Sequence, residues 1–155
     1  MDYNLLFQKL KHKYVPELKD REVFLVKKKQ RWFMVAPFVN NKVYYNEDIM
    51  KRCNPKARDA ALVHELIHKL QAWRMNFFKR ILMHFVYKFS QKTRIKIEKE
   101  AHTETVMRGF GDGVILLNHY VIERLDKKLW EKEHSKLHLS DDEIRVLMKK
   151  YPCIQ

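Results

Sequence analysis

His64-Glu65-Leu66-Ile67-His68 sets two imidazoles four residues apart with a carboxylate beside the first. On a helix, residues four apart stack one turn above the other on a single face. Both rings can therefore turn a nitrogen toward one ion, and imidazole is a favoured ligand of zinc. Glu65 projects beside them, where it can take a proton from water held at that ion. The neighbours Ala61, Leu62, Val63, Leu66, Ile67 and Leu70 are apolar, so this helix belongs in a core. Two imidazoles and a carboxylate buried there would be costly without a partner. A cation supplies one; the plainer alternative is a helix whose histidines face solvent or satisfied core groups.

A catalytic zinc takes three protein ligands and keeps one position open. The extended pattern with a glycine and a third histidine in the following turns is missing, because Gln71 and Arg74 stand at those positions. Candidates further along are His84, Glu98, Glu100, His102 and Glu104. Glu98 is the best placed, opening Glu98-Lys99-Glu100-Ala101-His102 on a helix of its own. Glu98 and His102 share a helical face, so spacing leaves open which of them is the ligand. Glu100 and Glu104 fall on another face and read as solvated. His84, set among apolar residues, reads as a core histidine.

An HExxH helix followed on a later helix by ExxA and a polar residue resembles the gluzincin clan of zinc metallopeptidases, and the chain length is nearest its small members, the minigluzincins. The resemblance covers about residues 22–108; HExxH is a specific motif and ExxA a short one. It implies a zincin-like fold and hydrolysis of peptide bonds in a polypeptide substrate. It implies zinc on His64, His68 and Glu98, with Glu65 as the general base that assists attack of zinc-bound water. Where the family often carries an aspartate, this chain has His102. A neutral imidazole there can accept a hydrogen bond from His64 and so support the ligand. The family's edge strand before the zinc helix maps onto Lys42 to Tyr45, making Val43, Tyr44 and Tyr45 the expected partners of extended substrate. An oxyanion donor is also needed. Tyr87, His84, His119 and Tyr120 have suitable chemistry, and nothing in the sequence chooses between them.

The elements that must hold these residues follow from local pattern. Residues 3–13 carry leucines at helical spacing, ended by Pro16. Residues 23–28 and 31–36 read as strands joined by a tight basic turn, and Lys42 to Tyr45 as a third. Asn54-Pro55 reads as the cap and first position of the HELIH helix. Helices are expected over 75–89, 93–108 and 114–133. All three glycines fall in GFGDG at 109–113, which reads as a loop, and Ser140 with Glu143 forms a capping-box signature for a last helix. The fold class expected is α+β, a small antiparallel three-stranded sheet packed on several helices, in one domain over 1–155.

The net charge of +13 favours an anionic partner, nucleic acid or a membrane surface. A basic binding domain with a structural or vestigial metal is therefore the alternative function, and a SprT-like DNA-associated protease, which uses a third histidine, would join the two. Basic runs at 26–31 and 88–99 could track phosphates while Trp32, Phe33, Tyr44 and Tyr45 stack on bases. Residues 74–89 could form a basic amphipathic helix on a membrane or partner; the expectation is an ordinary core helix with a charged outer face. Two cysteines make no disulfide framework, no apolar run approaches a membrane span, and the first residues lack signal-peptide order, so a cytoplasmic protein is expected. Cys153, near the end, could fold onto an open metal position, although a frayed tail is the simpler reading.

Overall fold

The computed structural model describes residues 1–29, 34–124 and 136–152. The architecture is α+β, mostly helical with one small sheet. In chain order the elements are α1 (Tyr3–Tyr14), a 3-10 turn (Pro16–Leu18), β1 (Phe24–Lys27), β2 (Met34–Val35), β3 (Lys42–Tyr45), α2 (Glu47–Arg52) and α3 (Pro55–Trp73). They continue with α4 (Phe77–Phe89), α5 (Gln91–Thr105), a π-helical turn (Val106–Phe110), α6 (Gly111–Arg124) and α7 (Asp141–Lys150). Residues 31–33 of the expected second strand, 125–133 of the expected long helix, and Trp32, Phe33 and Cys153 lie outside the described residues.

The helix that carries HELIH is the centre of the fold. Asn54 caps α3 by accepting from the Lys56 amide, and Pro55 fills the first position, where a missing N–H costs nothing. Beyond its first turn α3 is buried on almost every side, as its apolar composition requires. Leu62, Leu66 and Ile67 are fully buried against a core that includes Phe7, Leu18 and Val43. Helices α1, α5 and α6 pack directly on α3. The last helix starts at the expected capping box, with Ser140 and Glu143 exchanging hydrogen bonds.

The sheet is mixed rather than antiparallel. Its order is β1-β3-β2, with β1 parallel and β2 antiparallel to β3. Among the described residues β1 and β2 are not paired, so the expected hairpin between them is not seen. The basic run between them contains no Gly, Asn or Asp to supply the positive φ that a tight hairpin turn needs. Instead β3, with Val43 fully buried and Tyr45 nearly so, takes the central position and satisfies both of its edges.

The GFGDG segment is helical, not a loop. Only Gly109 has positive φ, 97°, and it kinks the chain between α5 and α6. The other two glycines are there for close approach. A Cβ on Gly111 would lie 2.5 Å from Met148 Cγ on α7, and one on Gly113 would lie 2.5 Å from the Lys56 carbonyl oxygen and 2.8 Å from Ala60 Cβ on α3.

Helix α4 also departs from expectation. It has no buried residue, and Phe77, Phe78, Leu82, Phe85 and Phe89 are exposed. Its partly covered side, Met83 and Tyr87, rests on a minor cluster with Phe38, Ala72 and Ile97. Among the described residues no helix is long and apolar enough to cross a membrane. Cys53 is buried, which pushes its thiol up to about 11 and leaves it unreactive at neutral pH.

Alanine in place of glycine ordinarily strengthens a helix by about 1 kcal/mol. Gly113→Ala should do the reverse, lowering stability by about 1–3 kcal/mol, because the methyl meets the backbone of α3. Urea denaturation of the variant checks this, and an unchanged or raised midpoint contradicts the packing described.

Candidate metal centre

Helix α5 lies across the buried face of α3 and offers it Ile97, Glu98, Ala101, His102 and Thr105, a buried stripe at helical spacing. This brings Glu98 to the histidines of α3. His64 Nε2 lies 3.0 Å from His68 Nε2 and 3.2 Å from Glu98 Oε2. The third side of the triangle, His68 Nε2 to Glu98 Oε2, is 3.4 Å. A second group, His64, Glu98 and His102, has ligand atoms all within 4.8 Å of one another and could hold a metal ion. The His102 ring stacks edge-on to His64 with centroids 4.6 Å apart, and its Nδ1 has no hydrogen-bond partner.

Each convergent group is held from behind. His68 Nδ1 donates to Gln71 Oε1 at 2.9 Å, and the Gln71 amide nitrogen donates to the Ile97 carbonyl at 3.2 Å. The second bond decides which end of the amide faces the ring. His68 Nδ1 therefore carries a proton, and Nε2 is the nitrogen turned to the triangle. Tyr87 on α4 donates its hydroxyl to Glu98 Oε1, leaving Oε2 turned toward the histidines. Lys69, buried next to His68, donates to the carbonyls of Pro37 and Asn40 at 2.5 and 3.0 Å. That ties the β2–β3 connection to α3 and sets Phe38 beside His68, with ring centroids 6.3 Å apart. Burial depresses the Lys69 ammonium to about 8.

Electrostatics at the centre follow from burial working against proximity. Burial alone would neutralise His68, but the Glu98 carboxylate outweighs it and raises His68 to about 9. Burial likewise pushes Glu98 up, and the facing imidazoles hold it well below the usual carboxylate range. His102 is kept neutral chiefly by its burial, with the neighbouring His64 and His138 acting in the same direction. Glu65 points into the same space. Burial raises its carboxyl against the pull of His68 and His64, and among the described residues its buried Oε2 has no hydrogen-bond partner.

These groups line a cleft of about 500 Å³ whose wall is mostly apolar. The structure therefore gathers His64, Glu65, His68, Glu98 and His102, as expected from the sequence. Of the four residues with oxyanion-donor chemistry, Tyr87, His84 and Tyr120 line the cleft. His119 does not; it is largely exposed and bonded to Asp141. His84 is part of the wall rather than the core, and Glu100 sits outside on the surface beside Lys96. Glu104 is not free in solvent but is paired with Arg74 and Arg108. The expected substrate strand is corrected outright. Val43 and Tyr45 are buried, Tyr44 lies under Lys28, and β3 is bonded on both sides, so it has no edge to offer. The strand at the cleft is β2, through Met34 and Val35.

Two contributors were not anticipated. Gln71 gave no signal beyond its position one helical turn after His68. His138 reaches the cleft because Asn118 on α6 holds the Leu139 carbonyl at 3.1 Å; its ring lies 4.6 Å from that of His102.

No family model, no curated protein and no solved structure matches the chain.

A metal at this centre competes with the proton on His68. Below about pH 9 the metal-free ring is protonated, so binding releases one proton and apparent affinity should rise about tenfold per pH unit from pH 7 to 9, then level off. Competition against a chromophoric chelator measures this, and a flat profile over that range contradicts it. Gln71→Ala, which frees the ring, should weaken metal binding about 10- to 100-fold in the same assay; unchanged affinity would show that the ring needs no such support.

Proposed function

We propose that the chain is a zinc-dependent metallopeptidase of gluzincin type, with zinc on His64, His68 and Glu98. The observation that carries this is the triangle of ligand atoms. Tetrahedral zinc with bonds of about 2.0–2.1 Å has ligand–ligand edges of about 3.3–3.4 Å. The three edges here are 3.0, 3.2 and 3.4 Å, so the side chains are already spaced for one small ion. The donor set, two imidazoles and one carboxylate, is that of zinc hydrolases. His102 belongs to a second possible ligand group with His64 and Glu98, and metal analysis of the variants separates the two assignments. The His102 ring meets that of His64 edge-on with no hydrogen bond between them, and we assign it to packing beside the ligand rather than to the ion.

When bound, zinc supplies a Lewis acid that polarises an acyl oxygen and makes water a usable nucleophile near neutral pH. The chain's own residues do the rest. Among the described residues Glu65 Oε2 has no hydrogen-bond partner, so it is available to take the proton of the attacking water. A carboxyl raised by burial is matched to accepting a proton and then releasing it to the departing amine. The Tyr87 hydroxyl is committed to Glu98 Oε1, which makes it a positioning residue for that carboxylate. The apolar wall, with Met34, Phe38, Leu117 and Val121, excludes water and suits apolar side chains of a polypeptide. Among the described residues β2 is bonded to β3 alone, so its outer side can take an extended substrate by strand addition.

Glu65→Gln should keep one zinc per chain and lose about 10²–10⁴-fold of its hydrolysis of an unfolded polypeptide. A binding domain with a structural metal would be indifferent to that change. In parallel, Glu98→Ala should lose the metal and His102→Ala retain it, read by metal analysis of the purified proteins. Metal kept in the first and lost in the second would overturn the ligand assignment.

A further inference from the structure

Helix α4 presents opposite faces to opposite surroundings. Met83 and Tyr87 turn inward. Phe78, Leu82, Phe85 and Phe89 are 81%, 62%, 54% and 85% exposed. At 3.6 residues per turn these four fall within about 60° of one another, on the side away from the protein. Lys79 and Lys88, both exposed, lie about 60° beyond either edge of the stripe. An apolar stripe flanked by lysines is the arrangement of a helix lying in a bilayer interface, with ammonium groups at the level of the lipid headgroups.

Charge narrows the choice of occupant. From Leu66 to Ile97 there is no acidic residue, while Lys69, Arg74, Lys79, Arg80, Lys88, Lys92, Arg94 and Lys96 are basic. A second copy of the chain docked through this face would set like charges against each other around the stripe, and the chain as a whole carries +13. Nucleic acid would meet the cations but leave the aliphatic and phenylalanine stripe in water. An anionic lipid surface satisfies both.

We infer that α4 is a membrane-surface docking helix, its Phe78–Leu82–Phe85–Phe89 stripe entering the interface of an anionic bilayer while Lys79 and Lys88 meet lipid phosphates. The inner side of the same helix contributes His84 and Tyr87 to the cleft. Docking therefore holds the cleft close to the bilayer. No residue of the metal centre takes part in it, so docking stands whether or not the centre is hydrolytic.

The test is co-flotation of the full chain with phosphatidylcholine vesicles, with and without about one third phosphatidylglycerol. Binding to the anionic vesicles should be at least about tenfold tighter and should fall in high salt. The triple variant Phe78→Gln, Leu82→Gln, Phe89→Gln, its helicity checked by circular dichroism, should lose at least about tenfold of it. Should that variant fail to fold, Phe78→Trp serves: the indole fluorescence it adds should shift to the blue and be quenched by brominated lipid. Equal binding to neutral vesicles, full binding by the folded triple variant, or an unshifted emission from the Phe78→Trp variant overturns the inference. So does wild-type protein that ignores vesicles and instead self-associates through the stripe or binds duplex DNA equally well with and without it.

Discussion

Two carboxylates and three imidazoles are enclosed where α3 crosses α5, and removing such groups from water is the constraint around which the molecule is organised. An unpaired charge in an apolar interior is costly enough that a group shifts its pKa or finds a partner. Here both happen. Glu98 and His68 hold each other charged, His102 is forced neutral, and Glu65 is driven toward its protonated form with an oxygen left unpaired. The convergence of three ligand atoms on one point leaves a site whose electrostatics a divalent cation would complete.

The surrounding structure restrains that convergence from several elements at once. Gln71 fixes a ring on α3 by reference to the backbone of α5, and Tyr87 fixes the α5 carboxylate from α4. Lys69 ties the β2–β3 connection to the same helix, and Gly113 lets α6 come close enough to hold α3 from the other side. Precise placement of these side chains thus rests on hydrogen bonds between elements and on one missing methyl, not on the convergent residues alone.

The meeting of the polar side chains was more legible in the sequence than the topology. Two histidines one helical turn apart in an apolar run leave little freedom, and Asn54-Pro55 announced where that helix begins. Glu98 was accessible because few acidic residues follow on a helix able to face α3. What pattern could not give were decisions made by tertiary contact. β3 took the centre of the sheet because burial of Val43 and Tyr45 outweighed sequence order, which removed the expected substrate edge. Gly111 and Gly113 look like loop residues until Met148 and Lys56 are seen against them. The periodicity of α4 shows an apolar stripe but not which way it faces, and it faces out. Gln71 and His138 act through partners distant in sequence, so nothing local marks them.

The most direct measurement is a crystal structure of the zinc-loaded protein with data collected at the zinc absorption edge. A single anomalous peak is expected about 2.0–2.2 Å from His64 Nε2, His68 Nε2 and a Glu98 oxygen, on the side of the cleft that Glu65 lines. A peak bonded to His102 in place of Glu98 or His68, or no peak between α3 and α5, would contradict it.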